Sequence, residues 1–139
     1  MLNVRVVSFV LTAVFAAAPA LAQTTHLMVI VGLAGEPEHG ELFQRWAATL
    51  VDAASKLGVA KENVIYLHEK PDADPGRIDG RSTKEEIGKA FGRLARAGEE
   101  DVVFVVLFGH GTFDGRTAKF NLPGPDMTPD DFEPLLERI

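Results

Sequence analysis

The chain has 139 residues, contains no cysteine, and carries 20 acidic against 14 basic side chains, for a formal net charge of −6. This length suits a single domain. Without cysteine the chain can hold neither disulfides nor thiolate metal sites. Its acidic balance argues against a nucleic-acid partner, because nonspecific binding to nucleic acid needs clustered Lys and Arg.

The first segment, residues 1–22, has the pattern of a secretory signal peptide. Arg5 supplies a positive start, the apolar run Val6–Ala18 follows, and Ala20-Leu21-Ala22 matches an A-x-A cleavage site. The run is shorter than the roughly 20 residues that span a bilayer. We therefore expect an exported protein, periplasmic or extracellular, with one domain over residues 23–139 and no membrane association after cleavage.

The remaining sequence alternates strand and helix patterns. The near-continuous apolar run His26–Leu33 predicts a strand buried on both faces. Apolar residues three and four apart over Glu41–Leu57 predict an amphipathic helix, which Gly58 ends. Asn63–Leu67 predicts a short second strand, and the segment Glu69–Arg81, rich in Pro, Gly and Asp, predicts a surface loop.

A second helix and a third strand follow. Thr83 and Glu86 have the spacing of a capping box, in which each side chain satisfies a free backbone N–H of the other residue. The run Asp101–Phe108 is β-branched and aromatic without polar alternation, which predicts a strand in the centre of the sheet.

The last part of the chain predicts a hairpin and a third helix. Asp114-Gly115 is a hairpin-type turn that precedes an alternating apolar stretch. Thr128 followed by Pro129 and two acidic residues is a typical helix start. Pro134 lies inside this segment and is expected to kink the helix or split it into two turns.

This order predicts an α/β fold with three α/β/α layers and a mainly parallel sheet. Three parallel strands are few, since sheets average about five to six strands. We therefore expect a domain that is incomplete at its C-terminus, although a complete small domain is the alternative.

Two loops follow strand ends, where ligands bind in such sheets. The loop Gly32–Glu38 lacks the G-x-G-x-x-G pattern, and its glutamates would repel a phosphate, so dinucleotide binding is not expected. In the second loop His110 lies between Gly109 and Gly111. An imidazole suits acid–base chemistry, and the Gly111 N–H is a potential oxyanion donor. The alternative is a histidine in an ordinary glycine turn.

Other catalytic patterns are missing from the sequence. There is no H-E-x-x-H or other paired metal spacing, and we predict neither a metal nor a cofactor. G-x-S-x-G is also missing, which argues against a serine hydrolase. The remaining histidines are weaker candidates because they fall at a strand start, in a surface loop and at the end of the second strand: His26, His39 and His68.

The apolar strand that ends in Phe108-Gly109-His110-Gly111, after the helix start Ser82–Glu86, resembles the caspase-like and legumain-like cysteine peptidases. The hairpin and the acid-started helix follow in the same order, and the resemblance covers His26–Ile139. It implies a caspase-like fold and a peptide or protein substrate. If the family's strand order holds, Asp101–Phe108 lies at an open sheet edge in an incomplete domain, and the chain would tend to self-associate. The resemblance also implies that His110 is the catalytic general acid and base, and that the Gly111 N–H helps to form the oxyanion hole.

Two departures limit this resemblance. In that family the nucleophilic cysteine ends the next strand, which this sequence does not contain. We therefore expect the N-terminal part of an exported cysteine endopeptidase, inactive as given; the alternative is an exported noncatalytic pseudopeptidase or protein-interaction domain. Caspases also place an arginine after the first strand, where this chain has Ala34-Gly35-Glu36, so aspartate specificity is not supported.

Overall fold

The computed structural model describes residues 23–139, and the predicted signal peptide over residues 1–22 lies outside the described residues. The elements in chain order are β1 (Thr25–Val31), α1 (Pro37–Lys56), β2 (Val64–His68), β3 (Gly80–Arg81), α2 (Lys84–Leu94), β4 (Val102–Phe108), β5 (Gly111–Phe113), β6 (Ala118–Phe120) and α3 (Pro129–Leu136). Short 3-10 helices lie at Lys61–Asn63 and Pro71–Ala73. The predicted order of strands, helices and hairpin is confirmed, with β3 added.

Four strands form one parallel sheet in the order β3-β2-β1-β4, and β5 and β6 form a separate antiparallel hairpin. Helix α1 packs on one face of the sheet, while α2 and α3 pack on the other. The chain is therefore α/β with a mainly parallel sheet between helices, an arrangement compatible with three layers. No helix within residues 23–139 has the length and apolar character needed to cross a membrane.

Strand β1 is central, and its side chains alternate between the two faces of the sheet. Leu27, Val29 and Val31 join the core under α1. Met28 and Ile30 join the core under α2 and α3. Both faces are covered by helices, which explains why the sequence of β1 is continuously apolar rather than alternating.

Strand β4 lies at the edge of the sheet, where the sequence predicted a central strand. It pairs with β1 from Thr25↔Val102 to Val31↔Phe108, and no strand among residues 23–139 pairs with its other side. Phe104 is 53 % exposed and Leu107 43 % exposed. The predicted central position was wrong. An apolar sequence indicates that the faces of a strand are buried, but it does not indicate how many strands pair with it. The expected open edge at this strand is confirmed within residues 23–139.

The segment Glu69–Arg81 is more ordered than the predicted loop. Its last two residues form β3 and pair with β2 at Leu67↔Gly80 and His68↔Arg81. Arg77 holds the segment against α1, because its guanidinium donates to Asp52 at 2.8 and 3.1 Å and to Asp74 at 2.8 Å. A strand of two residues is too short to produce an alternating pattern in the sequence.

The capping box predicted at the start of α2 is only half formed. The Thr83 hydroxyl accepts the Glu86 N–H at 3.3 Å, as predicted. The Glu86 carboxylate instead accepts from Lys89 at 2.7 Å, and the Thr83 N–H donates to the Arg81 carbonyl oxygen. Thr83 therefore caps the helix without the reciprocal bond.

Helix α3 begins at Pro129, as predicted, and runs through Pro134 to Leu136 as one helix. Of the two predicted outcomes, a kink or a split at Pro134, the split into two turns was wrong. Pro134 lacks an N–H for the carbonyl oxygen of Asp130, but both residues are exposed, so water can satisfy that oxygen. The Asp131 carboxylate accepts from the Thr128 N–H at 2.9 Å, which secures the helix start.

Candidate functional site

The candidate site lies where the carboxyl ends of β1 and β4 meet. The Gly32 N–H donates to the Phe108 carbonyl oxygen at 2.8 Å, and the His110 N–H donates to the Leu33 carbonyl oxygen at 3.4 Å. These bonds continue the parallel pairing of β1 and β4 past the strand ends. The two loops that the sequence singled out therefore lie side by side.

Glycines at this edge allow the end of the hairpin to pack directly on the sheet. A Cβ on Gly32 would lie 2.4 Å from the Asn121 carbonyl oxygen, and one on Gly109 would lie 2.7 Å from Cε2 of Phe120. The Leu33 N–H donates to the same Asn121 oxygen at 2.9 Å, and the Asn121 N–H donates to the His110 carbonyl oxygen at 3.0 Å. The backbone of His110 is thus held from two sides.

The His110 ring is exposed and pairs with a second histidine. Its Nε2 lies 3.3 Å from Nδ1 of His39, and the two ring centroids are 4.8 Å apart in a near-perpendicular arrangement. His39 belongs to the first turn of α1 and stacks on Phe43 with centroids 6.0 Å apart. Phe43 also meets the His110 ring edge-on at 5.6 Å. His110 therefore has one aromatic wall and one polar neighbour.

The His39–His110 pair constrains the protons of both rings. A hydrogen bond between two ring nitrogens needs one N–H donor and one unprotonated acceptor, so at least one ring is neutral when the bond forms. The lone pair of the acceptor nitrogen is engaged in this bond, so a base must use an unprotonated ring nitrogen outside the bond. The paired state leaves Nδ1 of His110 for a further partner.

The Gly111 N–H points away from the hairpin. Phe120 and Met127 exchange both backbone hydrogen bonds, at 2.7 and 3.1 Å, on the side of β6 that is remote from β5. Gly111 is opposite Phe120 in the register, so these two residues form a non-hydrogen-bonded pair. The N–H and C=O of Gly111 consequently face outward from β5, next to the exposed ring of His110.

The structure separates the other histidines from this site. His26 lies at the opposite end of β1, where its Nε2 is 3.2 Å from Oδ2 of Asp101. His68 ends β2, is 2 % exposed, and accepts the Lys70 N–H at Nδ1 at 2.9 Å. Burial lowers the pKa of His68, which favours the neutral ring. His68 lines a cleft between the start of α1 and Glu69–Ala73.

His39 is the site residue that sequence reasoning missed. Its position after the first strand placed it in a surface loop, whereas α1 begins at Pro37 and contains it. One signal was available in the sequence. His39 follows the first predicted strand, and loops that follow neighbouring parallel strands lie side by side. Only the adjacency of β1 and β4 brings residues 71 positions apart into contact.

Comparisons with known proteins add no relative: no protein-family model matches the chain, and neither a curated protein nor a solved structure matches it.

Proposed function

We propose that this chain is the histidine-bearing part of an exported caspase/legumain-like cysteine endopeptidase. In this proposal His110 is the general base and acid, and the Gly111 N–H stabilises the oxyanion. The nucleophilic cysteine comes from a segment outside these 139 residues, because the sequence contains none. The observation that carries the proposal is the exposed His110 ring at the carboxyl end of β4, beside an open sheet edge.

The open edge supports this assignment because it offers a position for a nucleophile-bearing strand. The Val102 N–H donates to the Thr24 carbonyl oxygen, and the Phe108 carbonyl oxygen accepts from Gly32, so the even-numbered residues of β4 bond toward β1. The N–H and C=O groups of Val103, Val105 and Leu107 therefore point to the open side. A strand paired there in parallel would end next to His110.

The chemistry assigned to the site is acyl transfer through a thioester. His110 takes the thiol proton, the thiolate attacks the scissile carbonyl carbon, and the negative charge develops on the carbonyl oxygen. The outward Gly111 N–H donates to that oxygen. His110 then gives its proton to the leaving amine, and water hydrolyses the thioester.

The test extends the chain along its own reading frame and assays fluorogenic peptides with Asp, Asn, Arg or Lys at P1. We expect the 139-residue chain to be inactive, and the extended protein to cleave at least one substrate through a cysteine that ends the next apolar strand. H110A should abolish turnover, whereas H26A, at the far end of β1, should retain it. Full turnover in H110A would overturn the proposal.

A noncatalytic pseudopeptidase or interaction domain of the same fold is the second candidate. The complete lack of cysteine in the present chain favours it. A Ser, Ala or Gly at the end of the next strand, together with no turnover by the extended protein, would select this candidate over the enzyme.

A further inference from the structure

We propose that His39 and His110 form a binding site for one divalent transition-metal ion of the Zn²⁺ or Ni²⁺ type. The coordinating atoms are Nδ1 of His39 and Nε2 of His110. This inference does not depend on the proposed peptidase function, since it concerns only the two imidazoles and their separation.

The separation of the two nitrogens fits a shared metal ion. Imidazole nitrogens bind zinc at about 2.0–2.1 Å, so two of them on one tetrahedral ion lie roughly 3.3–3.4 Å apart. Nδ1 of His39 and Nε2 of His110 are 3.3 Å apart. The metal would lie off the line that joins the two nitrogens, so its binding requires a rotation of the rings but no change in the separation of the nitrogens.

Each ring is held by a separate part of the fold, so the pair is preorganised. His39 stacks on Phe43 within α1. The backbone of His110 is bonded to Leu33 and Asn121. Imidazole is a preferred ligand for zinc and nickel. The ordering of both ligands is therefore achieved before the ion binds.

Two protein ligands leave the remaining coordination positions to solvent. Within the described part of the chain, no group of three or more His, Asp or Glu side chains converges on one point. The site is accordingly open rather than closed, and the expected stoichiometry is one ion per chain. No sequence motif indicates this site, because its two ligands are far apart along the chain.

The chain carries its own reporter for this site. Trp46 is the single tryptophan. Its ring centroid lies 6.0 Å from that of Phe43, whose centroid is 5.6 Å from that of His110. Ni²⁺ bound by the two histidines would be close enough to quench the fluorescence of Trp46.

The experiment titrates the tag-free chain with Ni²⁺ by tryptophan fluorescence and with Zn²⁺ by calorimetry. We expect saturable 1:1 binding that weakens at least tenfold in H39Q and in H110Q. H26Q is the matched control, because it removes a histidine at the opposite end of the sheet, and should bind as the parent does. Circular dichroism checks that all variants are folded.

Three results would overturn the proposal: no saturable binding by the parent chain, unchanged binding in both H39Q and H110Q, or an equal loss in H26Q. His39 and His110 are partly or fully exposed, so each glutamine substitution removes a ring contact with Phe43 but leaves no cavity in the core. These results do not bear on the peptidase proposal, which is tested separately by the turnover of the extended protein.

Discussion

The hydroxyl of Ser82 donates a 2.6 Å hydrogen bond to the carbonyl oxygen of Val31, 51 residues away, in a fully buried position. Val31 is the last residue of β1, and Ser82 lies between β3 and α2. This bond therefore connects the segment before α2 to the end of the central strand β1, close to the edge that carries the candidate site.

Removal of this hydroxyl should destabilise the fold. S82A leaves the buried Val31 oxygen without its side-chain donor, which costs about 1–3 kcal/mol of unfolding free energy. Urea unfolding measures the loss. S55A is the matched control, since Ser55 is exposed near the end of α1 and its substitution should change stability by no more than about 0.5 kcal/mol. Equal losses in the two variants would contradict the structural role of Ser82.

Gly32 should not tolerate a side chain. In G32A the new Cβ would meet the backbone oxygen of Asn121 at 2.4 Å, so the hairpin end must shift. We expect a loss of about 1–3 kcal/mol in thermal or urea unfolding. G92A is the control, because nothing lies within 4 Å of that Cβ on the exposed face of α2, and alanine there should stabilise the helix by about 0.5–1 kcal/mol.

The pH dependence of stability should include a contribution from His68. Its pKa is lowered in the folded chain because burial disfavours the charged ring. The unfolded chain then binds more protons below the ordinary value of 6.5, so stability decreases as the pH falls below it. One such group contributes at most about 1.4 kcal/mol per pH unit.

H68N tests this contribution, since the Asn oxygen can replace Nδ1 as the acceptor of the Lys70 N–H. Unfolding free energies between pH 7.5 and 5 should show a shallower slope in H68N than in the parent. Below pH 4 the unfolding free energy of H68N should still decrease with pH as in the parent, because hydrogen bonds lower the pKa of carboxyls such as Asp101 and Asp114. An unchanged slope between pH 7.5 and 5 would argue against a neutral His68 in the folded chain.

The open edge of β4 should cause concentration-dependent self-association. Its side chains Phe104 and Leu107 are exposed and uncharged. Three of its residues present backbone groups that no strand within residues 23–139 pairs. A lysine at the edge blocks pairing, so F104K or L107K should lower the apparent mass in light scattering. L57K is the control, because Leu57 is 84 % exposed at the end of α1 and away from β4. A monomeric parent chain at all concentrations would refute this expectation.

The sequence was most informative where local chemistry decides the structure. Thr83, Pro129 and the Asp114-Gly115 turn were all placed correctly, since caps and turns depend on neighbouring residues. Gly115 indeed has a positive φ of 87°, and the Asp114 carboxylate accepts from two turn N–H groups. Continuous apolar runs likewise identified β1 and β4, although not their order in the sheet.

The features that depend on distant parts of the chain could not be predicted in this way. The edge position of β4 depends on which strands pair, and the short β3 has no pattern of its own. His39 joins His110 only because β1 and β4 are neighbours and α1 begins four residues before its predicted start, at Pro37. For the site, the sequence therefore supplied His110 and Gly111, and the fold supplied His39.

The alternation along β4 has a consequence for any segment that adds to it. Val103, Val105 and Leu107 are the residues with outward backbone groups, so an incoming strand must match this spacing. A slip of one residue would place its donors opposite residues already bonded to β1 and turn its side chains to the other layer. The three outward residues thus restrict an incoming strand to shifts of an even number of residues, which decides which of its side chains face each layer.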